Sequence, residues 1–255
     1  MPFDFDQVVE RRNTDSLKYD FAHRWDLPEG LLPLWVADMD FPAPPVVLEE
    51  LEKRVRHGIF GYSDDPGSSY FDALYQWYDK RFGWQIEEGW LIKMPGVVFA
   101  VCMAIQALTS EGDAVLIQPP VYYPFFSSVA NNNRRVVENP LLYENGKYTM
   151  DFEDLEKKIV EENVKLAILC SPHNPVGRVW TEEELARYGQ ICIKHGVPVV
   201  SDEIHADFIT PGHKHTVFAS ISPDFADSTI TCTAPTKTFN LAGLQIANTI
   251  VSNQT

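Results

Sequence analysis

The chain has 255 residues, 45% of them hydrophobic, with a formal net charge of −15 and a sequence pI of about 4.8. That length allows a buried core in one large or two modest domains. The acid excess argues against nucleic acid and anionic membrane surfaces as partners, because phosphate recognition needs a basic face. No apolar run approaches a membrane span, and the first six residues have neither the basic start nor the apolar segment of a secretory signal. A cytoplasmic protein is expected. Cys102, Cys170, Cys192 and Cys232 are widely spaced within apolar runs. They fit no metal site and no disulfide framework, so four reduced core thiols and no metal are expected.

Residues 1–30 are polar and aromatic without clear periodicity, as in an arm that packs on something else. Pro42, Pro44 and Pro45 forbid a regular helix or central strand before the helix predicted over 46–57. Pro45 suits the first position of that helix, and Gly58 its stop. Residues 60–67 carry turn chemistry, and Ser68 or Ser69 can cap a helix running to about Phe82, with Gly83 beyond it. From residue 90 the pattern alternates between strand and helix. Strands are predicted over 90–93, 114–118, 135–138, 164–170, 197–201 and 228–233. Helices are predicted over 97–108, after Pro124, over 151–162, and from Thr181, where Thr-x-x-Glu184 reads as a capping box closed by Gly196.

Ligands of a doubly wound sheet bind beyond the carboxyl ends of its strands. Gly96, Tyr122, Asn174, Asp202 and Lys237 each follow a predicted strand. One edge would therefore carry a phosphate cradle at the amides of Val97 and Val98, an aromatic plate, an amide, a carboxylate and a lysine. Lys237 stands among apolar and hydroxyl residues, a setting that lowers an amine's pKa and makes it nucleophilic toward carbonyls. That set suits a flat, phosphorylated, aromatic aldehyde, and pyridoxal 5'-phosphate is the candidate. Each residue alone also suits a simpler role. Met94-Pro-Gly96 could be an ordinary turn, Tyr122 and Tyr123 core aromatics, Asn174 and Gly177 turn formers, Asp202-Glu203 a helix cap, and His205 a satisfied polar residue. Their joint placement carries the argument.

Ser171-Pro-His-Asn-Pro-Val-Gly177, Ser201-Asp-Glu-Ile-His205 and Thr236-Lys-Thr-Phe-Asn240 resemble, in order and spacing, the signatures of the class I and II aminotransferase family of fold type I. Leu34-Trp-Val-Ala-Asp-Met-Asp-Phe41 and Asn240-Leu-Ala-Gly-Leu-Gln-Ile246 resemble its cystathionine β-lyase or C–S lyase subgroup (MalY/PatB type). The resemblance covers residues 30–255. It implies a three-layer α/β/α large domain with a mostly parallel sheet over 46–255, an N-terminal arm over 1–45, and a homodimer at full length. It also implies a small C-terminal domain, bearing the arginine that grips the substrate carboxylate, which this chain lacks; a partial sequence and weak catalysis by these residues alone are expected.

Carried over, the resemblance assigns Lys237 to the covalent link with the cofactor and Asp202 to its ring nitrogen. Asn174 is assigned to the ring oxygen and Tyr122 to stacking. Val97, Val98 and Thr236 are assigned to the phosphate, and Tyr62 to the phosphate of a partner subunit. Two positions depart from a generic aminotransferase: Gln245 replaces an arginine eight residues after the lysine, and His205 replaces a tyrosine three residues after the acid. Both fit the lyase subgroup better. The implied activity is cleavage of cystathionine or a related cysteine S-conjugate to thiol, pyruvate and ammonia. An aminotransferase and a cofactor-binding regulatory protein are the alternatives.

Overall fold

The computed structural model describes residues 3–28, 30–62 and 69–253. Its helices are α1 (Leu17–Asp20), α2 (Pro45–His57), α3 (Ser69–Phe82), α4 (Val97–Leu108), α5 (Pro124–Asn131), α6 (Phe152–Glu161), α7 (Glu182–Lys194), α8 (Pro223–Asp227) and α9 (Pro235–Thr238). Its strands are β1 (Leu91–Met94), β2 (Ala114–Ile117), β3 (Arg135–Glu138), β4 (Leu142–Glu144), β5 (Lys147–Thr149), β6 (Val164–Cys170), β7 (Val199–Asp202), β8 (Thr229–Thr233) and β9 (Ala247–Ile250). Two compact units emerge, one of residues 1–63 and 235–244, the other of residues 64–234 and 245–255.

The larger unit is built on a seven-stranded sheet in the order β1-β9-β8-β7-β6-β2-β3. β9 runs antiparallel to both neighbours, while β8, β7, β6, β2 and β3 pair in parallel. Two reversals restore direction, so β1 points the same way as β8. The inner strands β2 and β6 are apolar on both faces over most of their length because both faces are covered, the condition under which strands lose their alternating pattern. Leu116, Ala167, Leu169 and Val199 pack with Leu155 and Ile159 of α6 and Leu185 and Tyr188 of α7. The intervening Val115, Ile117, Leu166, Ile168 and Val200 pack with Val101 and Ile105 of α4 and Phe125 and Val129 of α5. A third cluster joins Tyr78 of α3 to Trp84, Val217 and Ile250. The expected α/β/α layering with a mostly parallel sheet is what the unit shows.

Local chemistry sets the element ends. Thr181 and Glu184 exchange side-chain-to-backbone hydrogen bonds at the start of α7, the predicted capping box. Asp151 caps α6 by accepting from the Asp154 N–H at 3.0 Å. In the smaller unit, Pro45 opens α2 and Gly58 closes it at φ 75°, where a side chain would be strained. The turn over 63–67 and a cap at Ser68 lie outside the described residues.

Three readings need correction, and two features were missed. Val197 and Pro198 precede β7 instead of opening it: the Val197 N–H turns back to the Cys192 carbonyl at 2.9 Å, and proline has no N–H to give. Asp202 is therefore the last residue of the strand. Trp90 ends a 3-10 turn, so β1 starts one residue later than predicted. Cys102 is half-buried on α4, whereas Cys170, Cys192 and Cys232 are buried. The hairpin β4–β5 and the strand β9 were not foreseen.

Candidate active site

In the larger unit the parallel strands deliver the predicted residues to one edge. β1 leads through Gly96 into α4. Gly96 is extended at φ 176°, no side chain caps the helix, and among the described residues nothing beyond its chain neighbours lies within 4 Å of where a Cβ on Gly96 would stand. The first-turn N–H groups of Val97 and Val98 have no acceptor within the helix and stand at its positive end. Such an end is suited to phosphate. Val97 is buried and Val98 is 38% exposed.

β2 leads to Tyr122, which is half-buried, with its ring edge-on to Phe125 at 5.7 Å. Tyr123 is exposed, whereas Tyr122 packs against the cluster of Val101, Ile117 and Phe125. Burial raises the Tyr122 phenol pKa, and negative charge on Tyr123 and Asp202 adds to the rise. Tyr122 and Asp202 thus act on one another electrostatically from different strands.

β6 leads into the 171–178 turn. The His173 N–H donates to the Arg178 carbonyl and the Gly177 N–H to the His173 carbonyl, each at 2.8 Å, with Gly177 at φ 70°. The half-buried Asn174 donates its N–H to Cys170 Sγ at 3.4 Å. The His173 ring is buried, and its Nε2 lies 3.1 Å from the Pro120 carbonyl. A carbonyl only accepts, so Nε2 carries a proton. Burial pulls its pKa down to about 4.

β7 ends at Asp202, which is 5% exposed and accepts from the Ile204 N–H at 3.1 Å. Its carboxylate also raises the pKa of the Cys170 and Cys232 thiols, second to burial itself. Inert thiols around a charged carboxylate suit a structural role for both cysteines. His205 is half-buried, with its ring 6.3 Å from Phe208.

One residue of this edge was read only as half of a helix-cap pair. Glu203 is a fully buried carboxylate. It accepts from Ser201 Oγ at 2.8 Å and from the Phe218 N–H at 3.0 Å, and its Oε2 lies 2.8 Å from His215 Nε2. These partners satisfy its lone pairs where an unpaired charge would be costly. The acidic pair at the end of an apolar strand was the available signal.

The smaller unit holds Lys237, Thr236 and Tyr62. Lys237 sits on the single turn α9, beside the buried Thr236, and its Nζ donates to the Ala37 carbonyl at 2.7 Å. Tyr62 is fully exposed. The segment receiving the lysine is closely held. Arg11 bonds both Asp38 and Asp40, at 2.9 and 2.7 Å, and Lys18 Nζ lies 2.9 Å from Asp40. Burial alone would raise the Asp40 pKa, but hydrogen bonds from Lys18 and Arg11 outweigh it and hold the carboxyl below its usual range. A cleft of about 310 Å³ opens beside these residues, lined by Arg11, Met39, Phe41, Asn240 and Gly243.

Among the described residues no cluster of histidine, cysteine and acid side chains could hold a metal ion, and no helix is long and apolar enough to cross a membrane. A model described as aminotransferase class I and II matches residues 30–255. Cystathionine beta-lyase PatB of Bacillus subtilis strain 168 is 50% identical over 250 residues, covering 98% of this chain and 64% of that protein. Cystalysin of Treponema denticola, whose crystal structure contains a pyridoxal 5'-phosphate cofactor, matches with a TM-score of 0.93 at 43% identity over 100% of this chain and 65% of that one. The pyridoxal-phosphate-bound C–S lyase of Staphylococcus hominis matches with a TM-score of 0.94 at 38% identity over 100% of this chain and 64% of that one. The chain thus spans about 64% of the length of the curated relative.

Proposed function

Because the chain belongs to the aminotransferase class I and II family, we propose that it serves as the cofactor-binding part of a carbon–sulfur β-lyase. In this reading cystathionine, or a related cysteine S-conjugate, is cleaved to a thiol, pyruvate and ammonia. The carrying observation is the 50% identity, over nearly the whole chain, to a protein named cystathionine beta-lyase.

The residues present fit pyridoxal 5'-phosphate. An uncapped helix start, a half-buried aromatic ring, a buried carboxylate and a lysine amine are the donors and acceptors such a group needs. When bound, the cofactor supplies an electron sink for charge that develops at the substrate α-carbon. Lys237 Nζ would hold its aldehyde carbon and, once the substrate amine has taken its place there, would be free to take the α-proton. Asp202 would keep a proton on the ring nitrogen by placing a negative charge beside it. Asn174 would orient the ring oxygen, and Tyr122 would cover one ring face and exclude water. Gly96 would leave room for the phosphate, with the Val97 and Val98 amides and the Thr236 hydroxyl bonding it. His205 would join the residues around the cofactor, and Tyr62 would serve a second copy in a cytoplasmic homodimer. Residues 1–45 would act as the arm of a cofactor-binding domain over 46–255.

Cystathionine added without a keto acid should release pyruvate and thiol. Borohydride should fix the cofactor on Lys237, read by peptide mapping. A requirement for a keto acid, with stoichiometric conversion of cofactor to its amine form, would show an aminotransferase instead. A label on Lys93 or Lys214 would remove Lys237 from its assigned place.

A further inference from the structure

We propose that Asn240 is a positioning residue for Lys237, its carboxamide fixing the 37–41 backbone that receives the lysine amine. The proposal deepens the reading of Lys237 given above and rests on it. Asn240 uses its side chain on both sides. Oδ1 accepts from the Met39 N–H at 3.0 Å, while Nδ2 donates to the Met39 carbonyl at 3.1 Å and the Phe41 carbonyl at 2.9 Å. Pairing with both polar groups of one residue reproduces a strand partner, a geometry open to a carboxamide and closed to a carboxylate, which has no proton to donate.

The clamp is short-coupled to the lysine. The Asn240 N–H donates to the Lys237 carbonyl at 3.4 Å, and the Leu241 N–H to the Thr236 carbonyl at 2.8 Å. On the receiving side, Val36 has φ 52°, a left-handed conformation that a β-branched residue strongly disfavours, and the Asp38 N–H closes on the Val36 carbonyl at 2.9 Å. Such a conformation persists only where neighbours over-determine it. Arg11 and Lys18 hold Asp38 and Asp40 from the arm, and Asn240 holds residues 39 and 41 from the lysine turn. Of these three, only Asn240 belongs to the turn that carries Lys237. The strained turn aims the Ala37 carbonyl, and Asn240 keeps carbonyl and amine in register.

Asn240 is itself left-handed at φ 57°, so an alanine variant would mix backbone strain with loss of the carboxamide. Asn240→Gly removes the carboxamide and keeps the backbone at ease. Asn240→Asp keeps the size and removes both donated bonds. In each variant, competitive acetylation of the cofactor-free protein, read by mass spectrometry, should show Lys237 labelling at least about threefold faster relative to exposed Lys147. In the loaded protein kcat for pyruvate release should fall on the order of tenfold with KM within about threefold. Unchanged labelling in folded Asn240→Gly overturns the proposal, as does a raised KM with unchanged kcat. Should Asn240→Gly not fold, Asn240→Asp decides by the same criteria. A wild-type protein that takes up no pyridoxal phosphate sinks the lyase reading alone, since the labelling still decides the role of Asn240.

Discussion

Asp202 closes a buried strand with its carboxylate almost sealed from solvent and its charge felt by Tyr122, Cys170 and Cys232. On the proposed reading this carboxylate lies against the cofactor's ring nitrogen. Asp202→Asn should leave cofactor loading measurable and lower α-proton exchange by about 10²- to 10³-fold, the scale for removing a preorganised electrostatic partner. Exchange measured by deuterium uptake at wild-type rates would take the ring-nitrogen role from Asp202. Residues such as Asp202, Asn174 and Lys237 were legible because each is a polar group set just where an apolar strand stops. Asn240 and Glu203 were not legible in that way. The worth of Asn240 lies in backbone groups some 200 positions earlier. That of Glu203 lies in His215 and the Phe218 amide, which the sequence leaves in an unremarkable loop.

At the scale of elements, legibility followed local determinism. α4, β3 and β6 match their predicted spans, and α7 has its predicted cap, because periodicity and capping residues lie within the element itself. The β4–β5 hairpin had a local sign that was passed over: Asn145-Gly146, both left-handed, the pair favoured in two-residue hairpin turns. β9 had a short one, the β-branched Thr249-Ile250-Val251, but its four residues are held as a strand by pairing with β1 and β8. Packing between elements yields a test at Gly189 of α7. A Cβ there would lie less than 3.0 Å from the rings of Phe225 and Phe218, both in the core. Gly189→Ala should therefore destabilise the protein by about 1–3 kcal/mol despite alanine's better helix propensity. Denaturant unfolding checks it, and a variant more stable than wild type would show that the two rings yield freely.

The molecule as a whole carries its acid sensitivity partly in His173. An unfolded histidine takes its proton near pH 6.5, this buried one near 4. Between those values the unfolded chain binds more protons, so the contribution is intact above pH 6.5 and lost as pH falls toward 4. The loss is on the order of 3 kcal/mol. Urea midpoints measured from pH 7 to pH 4 should fall less steeply in His173→Gln than in wild type; equal slopes would assign the sensitivity elsewhere. The sheet order has a different reach, into the timing of synthesis. β1 is an edge strand whose neighbour is β9, with Leu91 opposite Ile250. A ribosome releases β1 early and β9 only after every other strand, with the Lys237 turn emerging between β8 and β9. Nascent β1 thus waits with an open edge while β2, β6, β7 and β8 can already assemble, and long-range pairings of this kind close slowly. The open edge of β1 therefore persists after the lysine turn has left the exit tunnel and closes only once β9 has followed it.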